Sequence, residues 1–132
     1  MLTLKYRLEG VNNGNCPTRL LLSLLEGKWK ILLLYHLFNG EKRPGELERL
    51  VPEASRQVLT AQLKELETDG IIHRTVFAQV PPHVEYTLTA FGQSLEPLLD
   101  LLFERGQAYA RQIRSNQQMI QTNCGKTDAA LD

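Results

Sequence analysis

The sequence predicts a mainly α-helical, dimeric winged helix-turn-helix, an α+β fold in which helices carry one small β-hairpin. Three observations predict it. Residues 55–67, SRQVLTAQLKELE, place Leu59, Leu63 and Leu66 at i, i+4 and i+7, the stripe of an amphipathic helix. Asp69-Gly70 stops that helix, and residues 71–77 and 85–88 then read as two strands around Pro81-Pro82. Residues 20–25 and 95–103 hold more leucine than one small core absorbs, which points to a second copy across a two-fold axis, with a crowded single-chain core as the alternative.

The elements follow in order. Residues 1–15 form an N-terminal arm, a short strand or an extended segment that ends in the Asn12-Asn13-Gly14-Asn15 loop. Pro17 suits the first turn of a helix. Leu20, Leu21, Leu22, Leu24 and Leu25 cover nearly all sides of that helix, so it must be buried on more than one. Gly27 separates it from a second helix, residues 28–38, with Trp29, Leu32, Leu33, Leu37 and Phe38 turned inward and Asn39-Gly40 as its end. Pro44 opens a brief third helix over residues 45–50, in which Leu47, Leu50 and Val51 make the inner stripe. Pro52-Glu53-Ala54 is the turn.

Ser55 caps the fourth helix, its hydroxyl accepting from a free amide of the first turn, and Val58 joins the inner leucines. A short helix, a tight turn and a longer helix make a helix-turn-helix, and the hairpin behind it, with its loop over residues 78–84, is the wing. Thr89 caps a final long helix that reaches Gln112 or beyond. Leu95, Leu98, Leu99, Leu102 and Phe103 are its apolar side, and Pro97 bends or divides it. Residues 115–132 have little periodicity and read as a disordered tail, which leaves residues 16–114 as the domain.

Composition sets the bounds. With 132 residues, 42% hydrophobic and 23% charged, the chain is one domain with a real core rather than a disordered polymer. Net charge is zero, so any DNA surface must be made by placement: residues 41–80 hold six basic side chains against seven acidic ones. Glu26, Lys28 and Lys30 interrupt the longest apolar stretch, residues 20–38, which argues against a membrane span. No secretory signal is visible, and the default location is cytoplasmic. Cys16 and Cys124 lie too far apart for a disulfide framework or zinc spacing. His36, His73 and His83 are dispersed, no glycine-rich phosphate loop is present, and no nucleophile stands beside a base. An enzyme, a cofactor and a metal are therefore not expected.

The run from Cys16 to about Gly106 resembles the HxlR-type family of bacterial winged-helix transcription regulators, relatives of the MarR group. The residues that carry the likeness are Cys16-Pro17, Glu26-Gly27-Lys28-Trp29, Gly45-Glu46-Leu47, Leu59-Thr60, Leu63-Lys64-Glu65-Leu66-Glu67 and Asp69-Gly70-Ile71. They continue with Arg74-Thr75-Val76, Val80-Pro81-Pro82, Val84-Glu85-Tyr86, Leu88-Thr89 and Gly92. Each is weak alone; the ordered set is specific. The resemblance implies a homodimer that binds an operator and controls transcription. The chain departs from the family at Pro44, where members tend to have an aromatic residue. At Arg56-Gln57 the basic and polar residues are exchanged.

Against that background, Arg56, Gln57, Thr60, Ala61 and Lys64, with the cap Ser55, form a face fitted to the major groove. Arginine pairs with guanine, glutamine with adenine, and small apolar groups touch the thymine methyl. Arg74, Gln79 and His83 on the wing reach toward the backbone or minor groove, although Arg74 is equally placed to pair with Glu85 across the hairpin. Lys42 and Arg43 either hold phosphates or are simply solvated. Cys16 precedes a helix start, where the helix dipole favours a thiolate; some relatives sense oxidants through a cysteine here, and the alternative is plain packing. Leu20, Leu21, Leu24, Leu95, Leu98, Leu99, Leu102 and Phe103 are the candidate dimer interface. Double-stranded DNA and a second copy of the chain are the expected partners, with an oxidant or small-molecule effector left open and no membrane. The competing reading is a winged-helix adaptor that binds protein; an adaptor would expose apolar residues on the fourth helix, where this chain has Arg56, Gln57, Thr60 and Lys64.

Overall fold

The structure, a computed structural model, describes residues 16–124, with side chains as far as residue 116. The arm expected over residues 1–15 and residues 125–132 of the expected tail lie outside the described residues. The chain divides after Gln93 into two compact units.

The first unit contains five helices and one hairpin among its described residues: α1 (Pro17–Leu25), α2 (Lys30–Phe38), α3 (Pro44–Leu50), α4 (Arg56–Thr68), β1 (Ile72–Phe77), β2 (His83–Leu88) and α5 (Ala90–Ser94). α2 is central and packs on α3, α4 and β2; α4 also packs on β1. Leu33, Leu34, Leu37, Leu47, Leu59, Leu63, Leu66, Ile71 and Ile72 form the core.

The phase of α2 differs from expectation. Its buried face is Lys30, Leu33, Leu34 and Leu37, while Leu32 is exposed. The helix begins at Lys30 rather than residue 28, and positions 30, 33, 34 and 37 are then the i, i+3, i+4, i+7 stripe. Lys30 can occupy an inner position because its ammonium lies 3.5 Å from Glu65 of α4, an ion pair that ties the two helices. Leu47 of α3 and Val51 just after it are buried but Leu50 is exposed, and Val58 of α4 is exposed as well. Both lie off the stripe that faces α2.

Local chemistry sets the ends of α4. Ser55 Oγ accepts from the Val58 amide at 3.1 Å, the expected cap. At the other end Gly70 N–H donates to Glu67 and Ile71 N–H to Leu66, each at 3.0 Å. This is a Schellman closure, and Gly70 takes the left-handed φ of 76° that it requires. Leu66 and Ile71, brought together by it, are both fully buried.

The hairpin is antiparallel, from Ile72 opposite Leu88 to Phe77 opposite His83. β2 therefore starts two residues earlier than expected. An isolated bridge joins Lys42 to Tyr86: Lys42 N–H donates to Tyr86 at 3.1 Å and Tyr86 N–H to Lys42 at 2.8 Å. Thr89 caps α5 by accepting from Gly92 N–H at 3.0 Å, and its hydroxyl lies 2.6 Å from the Gly70 carbonyl and 3.1 Å from that of Ile71.

The second unit is built on α6 (Glu96–Cys124). The helical run expected after Thr89 is divided at Leu95, and Pro97 sits in the first turn of α6, where its missing N–H costs nothing. The helix passes the point at which a disordered tail was expected: residues 115–124 are helical. No glycine or proline stands between Ser115 and Cys124, and glutamine and methionine favour helix without an apolar stripe.

Candidate nucleic-acid interface

α3, the turn at residues 51–55 and α4 supply the frame. Arg43 caps α3, and its N–H donates to Glu46 Oε1 at 3.0 Å, one half of a capping box; an arginine has no acceptor to complete the other half. The register of α4 follows from burial of Leu59, Leu63 and Leu66. Arg56, Gln57, Thr60, Ala61 and Lys64 consequently share the outer face, and all five are exposed, as is the Ser55 cap. A groove of about 340 Å³ separates α3 from α4, with Pro44 and Glu48 on one wall and Arg56 and Thr60 on the other.

Arg56 does not extend freely into solvent. Its Nε donates to Glu48 Oε1 at 2.5 Å, although its side chain stays 82% exposed. That hydrogen bond first, and the carboxylate charge second, raise the guanidinium pKa above its ordinary value. Sequence spacing did not reveal Glu48: the two residues are eight apart, and the turn between the helices brings them together.

The remaining expected contacts divide. Arg43 is exposed at the start of α3. Lys42 is half-buried, its ammonium 3.3 Å from the Gly40 carbonyl and 3.4 Å from that of Glu41. On the wing Arg74 and Gln79 are exposed. Arg74 stands opposite Tyr86, and Glu85 opposite Thr75, so the two residues occupy opposite faces of the hairpin and the cross-hairpin ion pair is not formed. Glu85 is instead paired with His83 at 2.6 Å. His83 also packs edge-to-face on Phe77, with ring centroids 5.0 Å apart, and its side chain is only 9% exposed. These contacts hold it within the hairpin, which corrects its expected place on a DNA-facing surface.

Cys16 is buried at the start of α1. The backbone N–H of Arg19 foremost, then the amide and hydroxyl of Thr18 and the Arg19 charge, lower its pKa against the opposing effect of burial. These donors belong to the first turn of α1, where backbone N–H groups favour the thiolate.

The apolar surface is narrower than expected. Leu95 and Leu99 are buried, at 5% and 0% exposure. Leu20, Leu98, Leu102 and Phe103 are exposed, and Leu101 joins them; Leu21 and Leu24 are half-buried. Among the described residues no helix is long and apolar enough to cross a membrane, and no group of acidic, histidine and cysteine side chains is arranged to hold a metal.

Known proteins share this architecture. Residues 24–114 match the HxlR-like helix-turn-helix family. An HTH-type transcriptional regulator of Bacillus subtilis (strain 168), YdeP, is 49% identical over 98 residues, which cover 74% of this chain and 77% of YdeP. A second from the same organism, YybR, is 47% identical over 97 residues, covering 74% of this chain and 78% of YybR. Among solved structures, the redox regulator HypR in its reduced form superposes with a TM-score of 0.72 at 45% identity, covering 75% of this chain and 98% of HypR. These relatives are regulators and not enzymes, and the family reading goes with DNA binding rather than with a protein adaptor. The chain belongs to the HxlR-like helix-turn-helix family of transcriptional regulators.

Proposed function

We propose that the chain binds a palindromic operator as a homodimer, with α4 in the major groove, and that oxidation at Cys16 alters its occupancy. The observation that carries the docking is the exposed polar face Arg56, Gln57, Thr60, Ala61 and Lys64, presented by a helix whose opposite face is fully buried. Arg43 beside it, and Arg74 and Gln79 on the wing, are set to meet phosphates. The exposed Leu98, Leu101, Leu102 and Phe103 of α6 offer apolar surface to a second copy, and Leu20 of α1 does so on its own unit. A two-fold dimer spaces its recognition helices by about 34 Å, one turn of duplex, which is why the operator is palindromic. The redox reading is supported by the lowered Cys16 pKa and by likeness to HypR, a redox regulator. A thiolate is the form that oxidants convert to a sulfenic acid.

The test is binding of the purified chain to its own upstream DNA against random duplex across salt concentrations. Preference for the upstream DNA with a steep salt slope is expected. Arg56→Ala with Lys64→Ala should lower affinity with little change in melting temperature. Absence of any preference sinks the docking. Release on oxidation, absent in Cys16→Ser, supports the redox arm; unchanged occupancy sinks that arm alone.

A further inference from the structure

We infer that Glu48 is a positioning residue for base recognition: by holding Nε of Arg56 it turns the terminal nitrogens of the guanidinium outward and commits Arg56 to guanine rather than to phosphate. The inference rests on the docking of α4 proposed above and assigns the chemistry of one contact within it.

Arg56 is the first residue of α4, the part of a recognition helix that meets base edges. A guanidinium has five N–H donors and no acceptor. Glu48 occupies the donor on Nε, and the four on Nη1 and Nη2 remain. Two of these point forward in parallel and match O6 and N7 of guanine, both of which accept. Adenine offers an acceptor beside a donor at the same edge, so one arm of the fork would face another N–H.

Charge favours the same outcome. Phosphate also accepts from a fork, but the Glu48 carboxylate would stand beside it and repel it. The Arg56–Glu48 pair is close to neutral as a unit, so it gains little from displacing counterions. Its hydrogen bonds to an uncharged base edge keep their geometry. An unpaired arginine would divide its many rotamers between bases and backbone. The Glu48 side chain, 29% exposed in the groove between α3 and α4, keeps this one oriented before DNA arrives.

The experiment is selection of bound duplexes from a randomised library by the full chain, followed by competition among the selected sites. The wild type is expected to prefer guanine at one position of each half-site, roughly tenfold or more. Arg56→Ala should abolish that preference. Glu48→Ala should flatten it to about two- or threefold while affinity for random duplex rises. Glu48→Gln, whose amide oxygen still accepts from Nε, should keep it. An undiminished guanine preference in Glu48→Ala overturns the inference, as does one that survives in Arg56→Ala. Should Glu48→Ala not fold, Glu48→Gln and Arg56→Lys decide: preference kept in the first and lost in the second supports the inference, and preference kept in both overturns it. A wild type with no preference among duplexes overturns the docking of α4 itself, so the two failures are distinct.

Discussion

Gly92 approaches Ile71 so closely that a β-carbon on it would stand 2.1 Å from the Ile71 carbonyl oxygen. The contact is with backbone, so nothing can rotate aside. Gly92→Ala is expected to lower unfolding stability in urea by about 1–3 kcal/mol. Gly45→Ala is the control. Its new methyl would meet nothing nearer than an Arg49 nitrogen at 3.7 Å, and stability should hold or rise by about 0.5 kcal/mol.

The hydroxyl of Thr89 serves the same corner, accepting from Gly92 and lying within reach of the Gly70 and Ile71 carbonyls. Thr89→Val, nearly isosteric, should cost about 1–2 kcal/mol in the same measurement. Thr89→Ser should recover most of it.

Lys30 is an ammonium with 4% of its surface left. Glu65→Ala removes its carboxylate and should destabilise by about 1–2 kcal/mol. Glu67→Ala, on the exposed side of the same helix, should change stability by less than about 0.5 kcal/mol.

Cys16 should alkylate with a pH midpoint below that of an ordinary thiol, about 8.5, when iodoacetamide rates are followed against pH. Its folded pKa lies below the unfolded one. The thiolate therefore contributes stability that is complete above the unfolded pKa and is lost as pH falls through the folded value. The stability of wild type relative to Cys16→Ser should accordingly grow from neutral toward alkaline pH.

Leu102 and Phe103 are 44% and 53% exposed on α6. In the proposed homodimer, Leu102→Glu and Phe103→Glu should shift sedimentation toward the monomer while helicity is kept. Leu99→Ala, at a position with no exposure, should instead cost about 2–5 kcal/mol of stability.

The most legible parts of the chain are those where local chemistry and burial agree. Leu59, Leu63 and Leu66, the Ser55 cap, the Asp69-Gly70 stop and the Thr89 cap all stand where the sequence places them. The phase of α2 is not legible, because residues 31–35 and 37–38 are all apolar or aromatic and periodicity cannot choose among them. The buried position that decides it holds Lys30, whose partner lies 35 residues on in α4. At the interface the exposed face of α4 can be read from spacing. The Glu48 contact cannot, since it depends on the angle of the turn, and neither can the withdrawal of His83, which follows from a neighbour two residues along the same strand.

The bridge between Lys42 and Tyr86 has a consequence for how this architecture varies. It joins the residue two before α3 to the middle of β2 through main-chain atoms alone. The wing and the start of the helix-turn-helix are thus spliced at the level of the peptide, by hydrogen bonds that use no side-chain group. The exposed faces of α4 and of the hairpin can then diverge independently, because the span between these elements is a dimension of the backbone.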